Sequence, residues 1–183
     1  MKKNLFVTTL VAFVLAGIIG ITSCSKDPIV VPYNMSDFSP ICIPANPNVY
    51  GYTLFNYTIT QNDVKAALTA AGVNDPWGRL QKAEVKGLKA TIEGNGNFDE
   101  IGSVEVFLKN TGTSGEGTQV AYSENIGSGT TSFDLKLNGA ALKEMVKAGD
   151  INVLIKVLTK SPGNQNAVCL KVGSGKLELT VKK

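Results

Sequence analysis

The side chains able to do chemistry in this chain are few. They are an adjacent carboxylate pair, Asp99 and Glu100, three cysteines, and a small set of aromatic rings. Histidine is absent. That removes imidazole-activated serine or cysteine nucleophiles, imidazole acid–base work and the common histidine-containing zinc sites. A glycosidase needs two carboxylates about 5–10 Å apart across a cleft, whereas neighbours on a turn diverge, and no second acidic cluster accompanies Asp99 and Glu100. Glu93 with the Gly94-Asn-Gly-Asn-Phe-Asp-Glu100 run gathers oxygens of the kind calcium takes, but without the spacing of an EF-hand loop. It reads as a solvated turn. The clustered glycines at 112–117 precede no helix that would receive a phosphate. The expectation is therefore no catalytic residue, no metal site, no cofactor and no enzyme.

Trp77, Tyr50 and Tyr52 form the candidate ligand-binding set, because exposed rings on a β surface stack on sugars. With Phe55 and Tyr57 they serve equally well as core, where large rings bury readily once a hydroxyl or indole nitrogen finds a partner. Cys42 and Cys169 either pair with each other in an oxidising compartment or stand as two small thiols; spacing alone does not choose. A bond closing so long a loop would contribute about 4–5 kcal/mol, less any strain. Arg79 is the sole arginine, which argues against nucleic acid as a partner, where the bidentate guanidinium dominates.

The third cysteine, Cys24, has a different context. Lys2 and Lys3 precede an uncharged run from Leu5 to Ile21, the layout of a secretory signal. Ile21 is too bulky for ordinary signal cleavage, and Ile21-Thr22-Ser23-Cys24 resembles the lipobox of bacterial lipoproteins. The resemblance implies a diacylglycerol on the Cys24 sulfur, cleavage before it, and membrane as partner through the lipid. Each buried methylene contributes about 0.8 kcal/mol, so two or three acyl chains hold a protein firmly. The alternative, an uncleaved helix, would sit at the short end of the roughly 17–25 residues needed to span a bilayer, and would leave the cysteine unexplained. Cys24-Ser25-Lys26-Asp27 is similar to the start of lipoproteins of the Bacteroidetes. That likeness implies outer-membrane anchoring, at the cell surface or on the periplasmic face.

The net charge of +3 owes two of its positive charges to Lys2 and Lys3, so the chain after Ser23 is close to neutral. Three regions follow: a signal peptide at 1–23, a lipidated cysteine with a proline-rich tether at 24–47, and a β-sandwich domain at 48–183. The tether holds Pro28, Pro32, Pro40, Pro44 and Pro47, although Ile41-Cys42-Ile43 is apolar enough to lie along the domain as an edge strand. A single domain of this size buries roughly 70% of its unfolded surface.

The elements that must position these residues are mostly short strands. Tyr50–Thr60 is aromatic and β-branched; Tyr52 and Leu54 would share one face and Phe55, Tyr57 and Ile59 the other, which predicts a central strand. Val64, Ala67, Leu68 and Ala71 predict a helix capped by Asn62, and 74–78 a turn. Residues 80–93 read as two alternating runs that change phase at Gly87 rather than as a helix. Alternation recurs around Val104, Val120 and Phe133, a second helix spans Ala140–Ala148, and Ile151–Val157 is the most apolar strand. Val168–Val181 changes parity at Gly173-Ser174-Gly175, which predicts one long kinked strand over a hairpin. About seven strands and two short helices predict a mainly β fold, a two-sheet β-sandwich. The run at Val104, the Leu-Lys-Glu-Met helix before Ile151 and the final long strand resemble small immunoglobulin-like lipoproteins of the Bacteroidetes. The combined expectation is a lipid-anchored accessory module of the cell envelope that binds a glycan or an envelope protein. The alternative is a structural or adhesive surface component that assembles through strand edges.

Overall fold

The computed structural model describes residues 27–35, 38–45, 51–160, 167–173 and 175–183, with the side chains of Phe55 and Asn56 excepted. The signal segment, Cys24 and Tyr50 lie outside the described residues. From the N-terminal side come β1 (Ile29–Asn34), β2 (Ile41–Ile43), β3 (Gly51–Ile59), α1 (Gln61–Ala70) and α2 (Pro76–Arg79). Then follow β4 (Leu80–Lys86), β5 (Lys89–Glu93), β6 (Ile101–Asn110), β7 (Thr118–Tyr122), β8 (Ser132–Asp134) and β9 (Lys136–Leu137). The chain closes with α3 (Lys143–Ala148), β10 (Ile151–Thr159), β11 (Val168–Gly173) and β12 (Lys176–Val181).

These strands form three antiparallel sheets, ordered β3-β10-β6-β7-β9, β1-β12-β4 and β2-β11-β5-β8. The strict alternation of β10 makes it the axis of the first. Ile151, Val153, Ile155 and Val157 are at most 1% exposed, and burying each contributes about 1.5–3 kcal/mol. Partners on both sides, β3 and β6, leave β10 no open edge.

The expectation of a simple two-sheet sandwich of about seven strands is corrected by this arrangement, and the reason lies at two kinks. β4 runs into β5 through Gly87-Leu88, and β11 leads towards β12 through 174–175. β12 pairs with β4 and β11 with β5, so the two pairs of strands lie end to end along the same stretches of chain. Burial falls on Ala83 and Val85 before the kink and on Leu88, Ala90 and Ile92 after it. Gly87 takes φ 59°, a left-handed conformation that glycine adopts without steric cost, and this turns the side chains over. On the neighbouring strand, Val168, Leu170 and Val172 give way to Leu177, Leu179 and Val181. The kinked strand therefore forms and the hairpin does not.

The two kinks stand side by side. Met35 N–H donates to the Gly175 carbonyl (3.2 Å), and Leu135 N–H to the Leu88 carbonyl (2.8 Å). A β-carbon on Gly175 would come within 2.5 Å of Leu88 Cδ2 and 2.6 Å of Met35 Cε. One seam thus crosses the strands from Met35 to Leu135 and divides what would be a single sheet into two. Beyond Leu135, the Phe133–Leu137 alternation splits between sheets, β8 pairing with β5 and β9 with β7.

Two further expectations change. The stretch assigned to the tether supplies β1 and β2, with Val31, Met35, Phe38, Ile41 and Ile43 buried, so ordered structure begins well before residue 48. β2 does lie at a sheet edge. β3, by contrast, is an edge strand and not a central one. Its pairing skips Asn56: Tyr57 faces Val153 while Phe55 faces Leu154. That bulge shifts parity and sets Tyr52, Leu54, Tyr57 and Ile59 opposite the buried Val157, Ile155, Val153 and Ile151.

The helices close the ends. Thr60, not Asn62, caps α1, its Oγ accepting from Asp63 N–H at 3.1 Å, and Val64 and Leu68 bury the inner face. α2 occupies the predicted turn, with the Asp75 carboxylate accepting from Gly78 N–H. α3 is shorter than predicted; just before it, buried Leu142 donates its N–H to the Ala83 carbonyl of β4 at 3.0 Å.

Candidate functional site

The two candidate rings among the described residues, Trp77 and Tyr52, stand on different elements. Trp77 is half-buried on α2 and packs against the core. Tyr52 is half-buried on β3 opposite Val157, in the half of the strand remote from Ile59 and α1. No ring pair joins them among the described residues, and Tyr50 lies outside those residues. Tyr57 belongs to a separate contact, 6.0 Å from the Phe38 ring and 3.4 Å from the Tyr33 hydroxyl. Burial, together with the Tyr57 hydroxyl, pushes the Tyr33 phenol well above its ordinary range. Tyr33 and Phe38 thereby lay the N-terminal segment against the second half of β3.

The Asn95–Glu100 loop holds itself together. Asp99 Oδ1 accepts from Gly129 N–H at 2.7 Å, and Asn97 Oδ1 from Asp99 N–H at 2.9 Å. Phe98 is wholly buried and edge-on to Phe133, ring centres 4.8 Å apart. The side-chain oxygens of Asn97 and Asp99 thus close the turn, and no group of three or more acidic or cysteine side chains is placed to hold a metal among the described residues.

Cys42 and Cys169 are bonded to each other. They lie directly opposite across β2 and β11, Cα atoms 4.0 Å apart, and the bond closes a separation of 127 residues. A disulfide of this kind suggests a domain outside the cytoplasm. No helix among the described residues is long and apolar enough to cross a membrane.

Two surface features were not singled out by sequence. On the outer face of the β5–β11 pair, Gly173 and Gly94 leave a shallow trough of about 440 Å³ bordered by Lys89, Thr91, Glu93 and Lys171. The lysines carry no signal in the sequence that separates them from other solvated strand lysines. The other feature is the edge of β3. Every remaining edge is blunted in a recognisable way. β1 carries Pro32; β2 and β8 have three residues each. β4 is covered at Ala83 by Leu142. β9 has only two residues, and past it Asn138 donates through its backbone to Val120 and through its side chain to Gln119 of β7. β3 has nine residues, Gly-Tyr-Thr-Leu-Phe-Asn-Tyr-Thr-Ile, with neither a charge nor a proline. Thr53 is exposed, and Leu54 is 39% exposed although it points to the core side. The bulge at Asn56 and the Tyr33 contact cover only the second half, so among the described residues the stretch left open is Gly51–Leu54.

The chain is thus a mainly β domain of three antiparallel sheets fastened by a cross-strand disulfide. No protein-family model matches it, and no curated protein matches it by sequence.

Proposed function

We propose that this chain is a lipid-anchored component of the bacterial cell envelope, held by Cys24 at the outer membrane, that acts by docking to another envelope molecule and not by catalysis. The observation that carries the docking is the open, uncharged edge of β3, since strand addition at such an edge gains main-chain hydrogen bonds with no rearrangement. This favours the assembling, adhesive version of the function over glycan capture by Trp77, Tyr50 and Tyr52. The lipobox-like Ile21–Cys24 run supports the anchor, and the disulfide supports a compartment outside the cytoplasm.

Two measurements test it. Palmitate labelling of the chain, lost together with membrane fractionation in Cys24→Ser, is the expected result for the anchor; unchanged fractionation removes it. For the docking, Leu54→Lys is expected to abolish co-purification of envelope partners after mild detergent extraction while the melting temperature holds. Partners retained by Leu54→Lys would place the contact elsewhere. A second reading, a polar saccharide in the trough over Gly173, rests on the Lys89, Glu93 and Lys171 border. Titration with a glycan panel would retire that reading by silence, and heat released on binding that Trp77→Ala leaves intact but Lys89→Ala removes would support it.

A further inference from the structure

We infer that the partner at this edge is a second copy of the chain, with the Gly51–Leu54 stretches of two molecules paired antiparallel about a twofold axis through Thr53; this rests on the docking role proposed for β3. An antiparallel register centred on Thr53 sets Thr53 opposite its own copy and Tyr52 opposite Leu54 of the other molecule. Both pairings are favourable: threonine pairs hydrogen-bond across strands, and aromatic–aliphatic pairs pack. Tyr52 and Leu54 face the core side, opposite Val157 and Ile155, so the same register covers the exposed apolar flank of Leu54 with the ring of Tyr52.

Charge decides in favour of self-pairing. A strand carrying lysine or glutamate at its centre meets the same charge in a twofold copy, and like charges directly opposite destabilise. Gly51–Ile59 contains none. Thr53 lies beside Lys156 of β10, and that ammonium is engaged by Glu116 at 3.1 Å. An acidic or basic partner strand, conversely, would find no counter-charge on this edge. The contact is isologous and closed, since each copy has one such edge among the described residues and uses it once. The five strands β3-β10-β6-β7-β9 become one half of a continuous sheet across two molecules, and the bulge at Asn56 ends the shared ladder before Tyr57, where Tyr33 takes over.

The test uses the full chain in membranes. Directly opposite residues in an antiparallel ladder have Cα atoms about 4.5–5.5 Å apart, inside the span a disulfide bridges. Thr53→Cys is expected to give an oxidation-dependent species of twice the chain mass. Wild type, and Thr118→Cys with its exposed position on β7, are expected to give none, the wild type also controlling for any dimer through Cys24. Thr53→Asp sets two carboxylates face to face across the axis. It is expected to weaken self-association in detergent at least tenfold while leaving the melting temperature of the dilute, dissociated chain at its wild-type value. A Thr53→Cys adduct with a different protein would overturn the second copy as partner yet leave the edge as the docking surface. No adduct of any kind, with Thr53→Asp and wild type in the same oligomeric state and with the same envelope partners, would overturn both.

Discussion

Removing the Cys42–Cys169 bond tests most directly how this domain is held together. The perturbation is the double variant Cys42→Ser/Cys169→Ser, which leaves no lone thiol behind. The bond spans 127 residues, and in the chain-entropy description a closed loop of that length restricts the unfolded state by about 5 kcal/mol at 25 °C. Domains of this size have about 5–15 kcal/mol in total, so the loss is a large fraction. With a urea dependence of about 2 kcal/mol per molar, the unfolding midpoint should fall by roughly 2 M. Trp77 is the sole tryptophan and packs half-buried on the core, so its emission reports the transition. It sits on α2, outside β2 and β11, and so reads global unfolding instead of local fraying. A midpoint shift below about 0.5 M would refute the reasoning. It would mean that β2 comes away separately from the rest, and that the bond ties down an edge without constraining the unfolded chain as a whole.

Other outcomes follow from the same geometry. Gly175→Ala should cost about 1–3 kcal/mol by overpacking, because its β-carbon meets Leu88 and Met35; adding Leu88→Ala should recover part of that in a thermal melt, and strict additivity would argue against the seam. Ile155→Ala on β10 should cost about 2–5 kcal/mol while Leu54→Ala, 39% exposed on the strand beside it, costs far less; equal losses would deny β3 its edge position. Tyr33 is held protonated in the fold by burial and by Tyr57. Its folded pKa is raised, so its contribution is complete below the unfolded tyrosine value of about 10 and is lost as pH rises from there towards the folded value. Tyr33→Phe should therefore flatten the decline of stability above pH 10, measured by urea midpoints across that range, and an unaltered slope would show that another group is responsible.

How far the sequence exposes this structure depends on where side-chain parity survives. In β10 it survives from end to end, because both neighbours pair with the strand and its odd positions from Ile151 to Val157 are all apolar. The parity changes at Gly87 and at 173–175 are equally visible, and both are real kinks. What no strand shows by itself is that the two kinks lie alongside each other, so a bend legible in each becomes a break between sheets. β3 fails in the opposite way. Its bulge at Asn56 puts apolar residues in both parities, which imitates a strand buried on both faces and hides an edge. β1 and β2 are obscured by Pro32 within the first and by Pro40 and Pro44 beside the second, since a composition suited to a tether also suits an edge strand that needs no second partner. Of the candidate site residues, Cys42 and Cys169 are brought together, while Trp77 and Tyr52 stand on different elements, α2 and β3. The trough over Gly173 is formed by missing side chains on neighbouring strands, and absence of bulk leaves no mark in composition.

The cross-strand bond also sets how the molecule answers a mechanical load. A pull entering from the N-terminal side reaches β1 at Ile29, which lies beside Val181 at the far end of the chain, and β1 can be stripped from β12 one hydrogen bond at a time. The stripping stops at Cys42. From there the force passes through sulfur into β11, which is flanked by β2 and β5, and further extension requires shearing the interior strands. The strand ahead of Cys42 therefore acts as a short yielding leader before a covalent stop, and its Tyr33–Tyr57 contact passes the first part of a shock to the second half of β3.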